Sequence, residues 1–521
     1  MGFITVDNVG GIGVNKDLSQ VELPNNAWSD VKNIRFSNGS AWSSSGYSQV
    51  YNTPVSPICH VLPIRVEQYR YWICCSATKI YIAVESGGLS NYTPQTVGVD
   101  WVLTGGPNTW TSALLGGVPV VNTGGNTPPM SVDLFAGVLN NLFTALPNWP
   151  SGVTCKSMRA YKNFLVALNV TKPGGHYPYM VKWSHPADPG TTPISWDETD
   201  PTMDAGETAL SEGYDPIVDG MQLRDTFMIY RESSVWRMDF TGGAYVFKFS
   251  KVLGTSGIMA KNCAVEVDGW HFVLTGSDVI MHDGVTATSV LDRQTRRFLF
   301  ANIDVDNNAL CFVFKHPFLN EVYVCYPQAG STACDKAMVW NYVDKTVSFR
   351  DLPNLLHAAY GPIPSGMTST WALDSDPWGA DITTWSSPDF GPERARVLMA
   401  GNAPALYMLD GSNAQGGAQV DCYLERRGLT LNAPEAMKLV RAIRPRIYSQ
   451  AGGTINIQVG GQDDPWSEPK WCAPVPFNIG SSVKSDMLVS GRYIAIKFSV
   501  GTAFQWRLDS YDIDVETMGA W

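Results

Sequence analysis

The sequence predicts an all-β fold, a β-propeller of six to eight blades with loop insertions and a C-terminal β-sandwich-like domain. A strand–turn–strand unit recurs along most of the 521 residues. The chain holds 48 Gly and 33 Pro, residue types that make the tight turns between short strands. Amphipathic helical patterns are scarce, and charged residues make up only 16% of the chain against about 25% in an average soluble protein.

The first 55 residues predict an N-terminal arm that ends in a hairpin. VKNIRFSNGSAW has two short strands around Asn38-Gly39, and this dipeptide supplies the positive φ angles of a type I′ turn. Leu23, Pro24 and Trp28 precede the hairpin and need a surface against which to be buried. We therefore expect the arm to dock on another blade or on another subunit.

Residues 56–430 predict the propeller. Apolar runs that we assign as the first strand of each unit start near residues 72, 118, 164, 227, 272, 322 and 397. A spacing of about 40–50 residues is typical of propeller blades, whose small sheets bury their apolar faces against one another. Two of the spacings are longer and contain biased sequence, which predicts insertions at about 183–216 and 360–392.

Residues 431–521 contain four alternating strands and predict a small C-terminal β-sheet domain. Pro445 lies inside the first of them. Because proline cannot donate a ladder hydrogen bond, it indicates an edge or a bend at that point.

Charge and cysteine content limit the classes of partner. The net charge of −11 disfavours a protein that holds nucleic acid through a basic face. The ten cysteines have no metal-ligand spacing and are expected to be small buried side chains in a reducing compartment. We expect no membrane-spanning segment, because no apolar run reaches about 18 residues.

The search for catalytic motifs predicts no enzyme, no cofactor and no metal site. The sequence lacks G-x-S-x-G, H-E-x-x-H and Walker patterns. Asp197-Glu198 and Asp463-Asp464 are sequence neighbours, whereas a glycosidase needs two carboxylates about 5–10 Å apart across its substrate. The stretch that begins at Asp304 lacks the glycine and glutamate of a calcium loop.

The first candidate functional site is the acidic segment between residues 183 and 216. It holds eight carboxylates and neither Lys nor Arg, so its charges are expected to stay solvated or to meet a basic partner. An exposed loop without a special role, a channel-lining loop and a loop that binds a fibre all remain open. The candidate channel-lining or partner-facing residues are Asp188, Asp197, Glu198, Asp200, Asp204 and Glu207.

The second candidate site is a subunit interface, because tryptophan and arginine are favoured at interfaces. The candidate residues are Trp28, Arg293, Arg296, Arg297, Trp371, Trp378 and Trp385. A further basic cluster comprises Arg426, Arg427, Arg441, Arg444 and Arg446. Salt bridges on strand faces and a role at an interface remain alternatives for these arginines.

Several motifs resemble tail nozzle (tail tubular) proteins of short-tailed bacteriophages, or podophages. The opening GGIGVNKDLSQVELPNNAWSDVKNIRFSNGSAW is similar to the Gly-Gly arm, ELP-N-x-W segment and hairpin of that family. MVKWSHPADPGTTPISWDE resembles its W-S-D-P unit, with His185 in place of the aspartate. The resemblance covers the arm and residues 155–300 well and the remainder loosely.

The resemblance implies a structural virion protein that retains and ejects phage DNA through a tail nozzle ring. The expected partners are five further copies in a homo-hexamer, a portal adaptor ring protein, a tail fibre or spike protein, and double-stranded DNA in transit. The chain would be assembled in the host cytoplasm and located in the virion tail. A receptor-binding or glycan-degrading propeller, and a scaffolding propeller unrelated to phages, are the alternatives.

Overall fold

A computed structural model describes residues 2–520 except positions 17, 52, 97, 126, 244 and 451 and segments 67–68, 85–87, 135–141, 364–394, 416–417 and 501–503. Within these residues the regular secondary structure is almost entirely β-strand. This part of the chain has one α-helix, α1 (Arg293–Asn302), and two short 3-10 turns at Asn308–Leu310 and Pro317–Leu319. The predicted all-β fold class is confirmed.

The strands before residue 300 are numbered in chain order. Those of the arm are β1 (Gly2–Asp7), β2 (Asp30–Lys32), β3 (Ile34–Ser37), β4 (Ser40–Ser43) and β5 (Tyr47–Val50). They are followed by β6 (Ile58–Val66), β7 (Tyr69–Ser76), β8 (Ile80–Val84), β9 (Leu89–Asn91), β10 (Gln95–Thr96), β11 (Val99–Asp100), β12 (Thr111–Leu115), β13 (Val118–Asn122), β14 (Met130–Ser131), β15 (Thr144–Ala145), β16 (Thr154–Tyr161), β17 (Phe164–Lys172), β18 (Gly175–Trp183), β19 (Gly206–Ala209), β20 (Ile217–Leu223), β21 (Thr226–Arg231), β22 (Val235–Phe240), β23 (Phe247–Leu253), β24 (Ala264–Val267), β25 (Trp270–Leu274), β26 (Val279–His282) and β27 (Ala287–Ser289).

The later strands continue this numbering. They are β28 (Phe312–His316), β29 (Glu321–Tyr326), β30 (Cys334–Asn341), β31 (Val347–Pro362), β32 (Ala395–Gly401), β33 (Leu406–Leu409), β34 (Ala414–Gln415), β35 (Ala418–Gln419), β36 (Tyr423–Leu429), β37 (Ala436–Tyr448), β38 (Thr454–Gln462), β39 (Lys470–Trp471), β40 (Val475–Asn478), β41 (Ser485–Gly491), β42 (Tyr493–Val500) and β43 (Arg507–Ala520).

The propeller is built from small antiparallel sheets. Five of them contain four consecutive strands each: β6–β9, β12–β15, β16–β19, β20–β23 and β24–β27. A nine-stranded sheet follows, in the order β28-β29-β30-β31-β32-β33-β5-β34-β35. The 16-residue β31 runs through the middle of that sheet and joins two blade-sized halves. The predicted number of blades stays a prediction, because these halves share one continuous sheet.

Apolar clusters between neighbouring sheets close the propeller into a ring. Leu165 and Leu115 belong to the cluster between the second and third four-stranded sheets, and Phe227 and Val166 to the next cluster. Trp72 on β7 packs in one cluster with residues of β32 and β33, which joins the last strands of the ring to its first sheet. Each sheet thereby buries both of its faces.

The recurring apolar runs are the second strand of each sheet rather than the first. The runs near residues 72, 118, 164, 227, 272 and 322 correspond to β7, β13, β17, β21, β25 and β29. The first strands β6, β12, β16, β20, β24 and β28 precede them. Several first strands carry polar side chains among the apolar ones, so a search for apolar runs did not identify them.

Two six-stranded sheets form a sandwich next to the propeller. One has the order β3-β4-β43-β37-β41 with β1 on β43, and the other has the order β2-β36-β42-β38-β39 with β40 on β38. Ile455, Ile457 and Val459 alternate along β38 and are fully buried, as expected for a strand with one face on the core. Pro445 lies on β37 beyond the last residue that pairs with β41. The missing N–H donor of the proline therefore interrupts no hydrogen bond between β37 and β41.

The N-terminal arm docks mainly on the sandwich of its own chain, which the sequence did not predict. It also contacts a propeller sheet, as one of the expected alternatives had it, because Gly13 and Val14 pair with Val347 on β31. β1 pairs along its whole length with residues 510–515 of β43. This part of β43 is open to β1, because β4 pairs only with two earlier residues of that strand. The hairpin at Asn38-Gly39 is confirmed, with φ angles of 51° and 75°. β5 then enters the nine-stranded sheet beside β33, so the arm joins the sandwich to the propeller.

Candidate functional site

The acidic segment is fastened to the propeller by two lysines. Lys182 on β18 has a side chain that is 2% exposed, and its ammonium binds the carboxylates of Glu198 and Glu207. Lys172 on β17 also binds Glu207 and lies 3.7 Å from Glu198. For Glu198 and Glu207, the expected basic partner is thus a pair of lysines of the same chain. Both lysines precede the segment in the sequence, so the composition of the segment alone does not reveal them.

The end of the acidic segment is paired in the same way. Asp215 lies 3.0 Å from the fully buried guanidinium of Arg231, which also donates to the backbone carbonyls of Glu212 and Asp215. Glu212 lies 3.1 Å from Lys251. Burial raises the pKa of Asp215, but hydrogen bonds from Ser233 and Ser234 outweigh it and lower the pKa overall. Half of the eight carboxylates thus have partners within the chain.

The other four carboxylates of the segment form no ion pair with any residue that the structure describes. Asp197 and Asp200 accept hydrogen bonds from Thr199 and Thr202, respectively, in tight local turns. These hydrogen bonds lower the pKa of both aspartates. Asp188, Asp197 and Asp204 are exposed and Asp200 is half-buried, so these four side chains carry the free negative charge of the segment.

Trp28 is a core residue, so its assignment to a subunit interface is wrong. Its side chain is 1% exposed and its indole N–H donates to the Val9 carbonyl at 2.7 Å. The ring packs between Phe498 and Tyr511 of the sandwich. A tryptophan between an extended arm and a hairpin has the same sequence signature whether it contacts its own domain or a neighbour.

The three arginines of the first basic cluster lie on α1. Arg296 pairs with Asp278 at 2.9 Å, while Arg293 and Arg297 are exposed. Asp292 caps the helix by accepting from the Thr295 N–H. Their assignment to an interface stays a prediction. The other interface candidates, Trp371, Trp378 and Trp385, lie outside the described residues, as does most of the predicted 360–392 insertion.

Most of the second basic cluster forms salt bridges on strand faces. Arg441 binds Glu516 on the neighbouring β43, and Arg446 lies 3.0 Å from Asp512 on the same strand. Arg427 binds Glu425. The remaining two members form other contacts. Arg426 is buried and donates to backbone carbonyls of the arm, and Arg444 lies over the ring of Phe3.

A polar cluster that the sequence did not predict links the first strands of three propeller sheets, β12, β16 and β20. We call it the axial cluster, because first strands lie innermost in a propeller. Arg159 on β16 donates to both carboxylate oxygens of Asp219 on β20, to the Ser112 carbonyl on β12 and to the Asn262 side chain. Its members are Asn108, Ser112, Ser157, Arg159, Asp219 and Asn262.

Asn108 extends the axial cluster across the ring. Its amide nitrogen lies 2.8–3.0 Å from the backbone carbonyls of Lys261, Ala309 and Cys311, and its oxygen accepts from Asn262. These carbonyls belong to the segments that lead into β24 and β28. One side chain from the segment before β12 therefore contacts the segments that lead into the fifth sheet and into the nine-stranded sheet.

Asp219 is held as a carboxylate. Burial raises its pKa, but the Arg159 guanidinium and hydrogen bonds from Asn262 and Ser157 outweigh it and lower the pKa overall. Because every one of these donors also belongs to the axial cluster, the carboxylate acts as a link between sheets. The geometry is that of a structural ion pair.

Two buried histidines lie beside the axial cluster. His60 on β6 shares a hydrogen bond of 2.9 Å with Ser112, and its ring centroid lies 4.2 Å from that of His357 on β31. Burial lowers the pKa of His60 well below its usual value, and His357 and Arg159 lower it further. Burial, aided by Arg159, lowers the pKa of His357 to about 3. Both rings are therefore neutral at pH 7.

A second buried histidine pair lies between the fourth and fifth four-stranded sheets. The Tyr230 hydroxyl is 2.6 Å from His271 Nδ1 and 2.7 Å from His282 Nε2. The second ring nitrogen of His271 donates to the Gln222 carbonyl, and that of His282 accepts from the Gly284 N–H. Burial lowers the pKa of His271 to about 3 and that of His282 to about 4. Neutral rings complete this chain of hydrogen bonds.

Within the described ranges, no three His, Cys, Asp or Glu side chains are arranged to hold a metal ion. The same part of the chain contains no helix with the length and apolar composition needed to cross a bilayer. The predicted absence of a metal, a cofactor and an enzymatic activity stays a prediction.

No protein-family model matches the chain, and no curated protein matches it. Among solved structures, it is similar to virginiamycin B lyase from Staphylococcus aureus, with 7% identity and a TM-score of 0.39 over 70% of this chain and 98% of that one. AztD from Citrobacter koseri is 11% identical, with a TM-score of 0.31 over 56% and 86% of the two chains. The extracellular domain of a hybrid two-component system from B. thetaiotaomicron is 10% identical, with a TM-score of 0.30 over 55% and 39%.

Proposed function

We propose that the chain is a structural virion protein of a podophage tail, six copies of which form the nozzle ring through which DNA is retained and ejected. The ring would sit below the portal adaptor ring and carry a fibre or spike on its outer surface. This proposal starts from the sequence motifs of the arm and of residues 155–300, and the β-propeller fold is compatible with it.

The observation that carries the proposal is the position of the arm. The arm, which contains the motif that resembles nozzle proteins, supplies four strands to the sandwich and one to the nine-stranded propeller sheet. Its Trp28 is buried against residues from the other end of the chain. The motif therefore has a structural task, which is to lock propeller and sandwich into one subunit. A ring that keeps its shape while DNA passes needs such a subunit.

The axial cluster supports a structural role over a glycan-degrading one. A glycosidase needs two carboxylates about 5–10 Å apart on either side of its substrate. Among the described residues of the axial cluster, Asp219 has the one carboxylate, and this carboxylate forms an ion pair with Arg159. We accordingly propose that the propeller has no enzymatic activity of its own.

The free carboxylates of the acidic segment suit a channel wall. Four per subunit, in six copies, give −24 before screening. With a Debye length of about 8 Å in physiological salt, this charge acts only on the near surface of a DNA duplex. It would keep phosphates from adhering to the wall while the DNA slides.

Replacement of Asp188, Asp197, Asp200 and Asp204 by Asn tests the channel-wall role. Asn preserves the local turns and removes the charge. We expect slower DNA ejection from such particles at low salt and unchanged ejection at high salt, because salt screens the repulsion. Normal ejection at both salt concentrations, in particles that assemble normally, would remove the acidic segment from the channel.

Copy number in purified virions tests the proposed function itself. Quantitative mass spectrometry of particles should give half as many copies of this chain as of the adaptor protein, as expected for a six-fold ring on a twelve-fold one. Absence from the particle, or a different ratio, would contradict the nozzle role.

A further inference from the structure

Two lysines converge on a glycine turn next to the axial cluster. Lys261 precedes β24, and its ammonium donates to the Thr109 carbonyl at 3.0 Å. The same ammonium would lie only 3.0 Å from a Cβ atom at Gly124. Lys156 on β16 extends over the adjacent Gly125, where its ammonium would lie 3.5 Å from a Cβ atom. The Gly124–Gly125 turn therefore has an ammonium group next to each of its residues.

The turn requires glycine at both positions. The φ angles of Gly124 and Gly125 are 89° and 113°, which side chains with a Cβ rarely adopt. At Gly124, a Cβ would also lie 2.6 Å from the Thr109 carbonyl oxygen. Because these Cβ atoms are absent, both ammonium groups can lie close to the backbone of the turn.

The positive charge of this pair is not neutralised within the described part of the chain. Neither Lys156 nor Lys261 has a carboxylate there within salt-bridge distance, and Asp219 is already bound by Arg159. Burial lowers the pKa of Lys261 to about 8; Asp219 opposes this shift, whereas Lys156 and Arg159 add to it. Lys156 and Lys261 therefore place two positive charges next to one turn without a carboxylate that binds them.

We propose that Lys156, Lys261 and the Gly124–Gly125 turn form a binding site for a phosphate group. Thr109 uses one of the three donors of Lys261, so five ammonium N–H groups remain between the two lysines. A doubly charged oxyanion matches both the two positive charges and this number of donors. The inference is independent of the nozzle proposal, because it rests on this turn and its two lysines alone.

Calorimetric titration with inorganic phosphate tests the site, at pH 7 and constant ionic strength. We expect saturable binding to the wild-type chain and at least a tenfold loss of affinity in Lys261→Met and in Lys156→Met. Lys248→Met is the matched control, because Lys248 is an exposed lysine on β23, and it should bind phosphate like the wild type. Lys156 is itself exposed, so its variant keeps the test valid if Lys261→Met does not fold.

Competition experiments identify the source of the phosphate. If a short DNA duplex displaces inorganic phosphate, the site takes a backbone phosphodiester. If the duplex does not compete and a small phosphate monoester does, the site takes a free phosphorylated molecule. An absence of saturable binding to the wild type, or equal affinity in the wild type and both lysine variants, would overturn the proposal.

Discussion

Arg159 and Asp219 form a two-pronged ion pair between the third and fourth sheets of the propeller. The guanidinium Nε lies 2.8 Å from one carboxylate oxygen and Nη2 lies 2.7 Å from the other. The side chains are 16% and 6% exposed. A pair with this geometry holds two sheets at a fixed distance and makes each partner dependent on the other.

Replacing Arg159 with Met should lower the free energy of unfolding by about 3–5 kcal/mol, because the Asp219 carboxylate would remain buried without its cation. Denaturant unfolding followed by tryptophan fluorescence measures the loss. Arg441→Met is the control: its pair with Glu516 is partly exposed and should contribute at most about 1 kcal/mol. If both variants lose the same small amount, the axial pair does not hold the sheets together.

Stability should fall as the pH is lowered from about 6.5 to 4.5. His271, His282 and His357 have lowered pKa values of about 3, 4 and 3 in the folded chain and about 6.5 when unfolded. The unfolded chain therefore binds more protons in this window. For each histidine that stays neutral in the folded chain, the free energy of unfolding falls by up to about 1.4 kcal/mol per unit decrease in pH. The measurement is the melting temperature as a function of pH.

A variant isolates the histidine contribution to this pH dependence. His282→Asn should be less stable at pH 7, because the Tyr230 hydrogen bond changes, yet its stability should fall less steeply between pH 6.5 and 4.5. Carboxylates titrate mostly below this window. A flat wild-type profile, or a variant with an unchanged slope, would show that these rings are not neutral in the folded chain.

Trp28→Ala should destabilise the chain by about 3–5 kcal/mol, the usual cost of removing a buried aromatic side chain. The arm would lose its contacts with Phe498 and Tyr511 together with the hydrogen bond to Val9. Trp466 is 73% exposed, and Trp466→Ala should change stability by less than about 0.5 kcal/mol. Similar melting temperatures for both variants would mean that the arm is not anchored in this way.

Lys182→Met should release the acidic segment. Glu198 and Glu207 would then lack their buried cation, and thermolysin should cleave within residues 184–205 at least tenfold faster than in the wild type, because cleavage follows local opening. Lys470→Met removes an exposed lysine that lies 3.5 Å from Asp463 and should leave this rate unchanged. Equal rates in all three proteins would show that the lysines do not fasten the segment.

The fold was predictable because its strongest signals are local. Each second strand, such as β17, is a continuous apolar run, and Asn38-Gly39 encodes its turn directly. Three of the first strands, β12, β16 and β20, carry members of the axial cluster, so residues such as Arg159 and Asp219 interrupt their apolar pattern. Polar residues in an inner strand are informative only when the partner strand is known.

The candidate site was less predictable because its charges pair over long sequence separations. Lys172 precedes its partner Glu207 by 35 residues, and Trp28 meets Phe498 from the opposite end of the chain. The composition of a segment gives its charge and does not identify the strand on which the segment lies. Lys182 shows the difference most clearly, because its ammonium binds Glu207 from the neighbouring strand β19 and Glu198 from the loop before that strand.

Negative-stain imaging of the purified chain, with and without the adaptor protein that the nozzle account requires, tests the central claim most directly. The nozzle account predicts rings with six-fold symmetry stacked on a twelve-fold adaptor ring. Monomers in the sample without adaptor are compatible with that account, because the adaptor can template assembly. Particles that stay monomeric in the presence of a complete adaptor ring would contradict it.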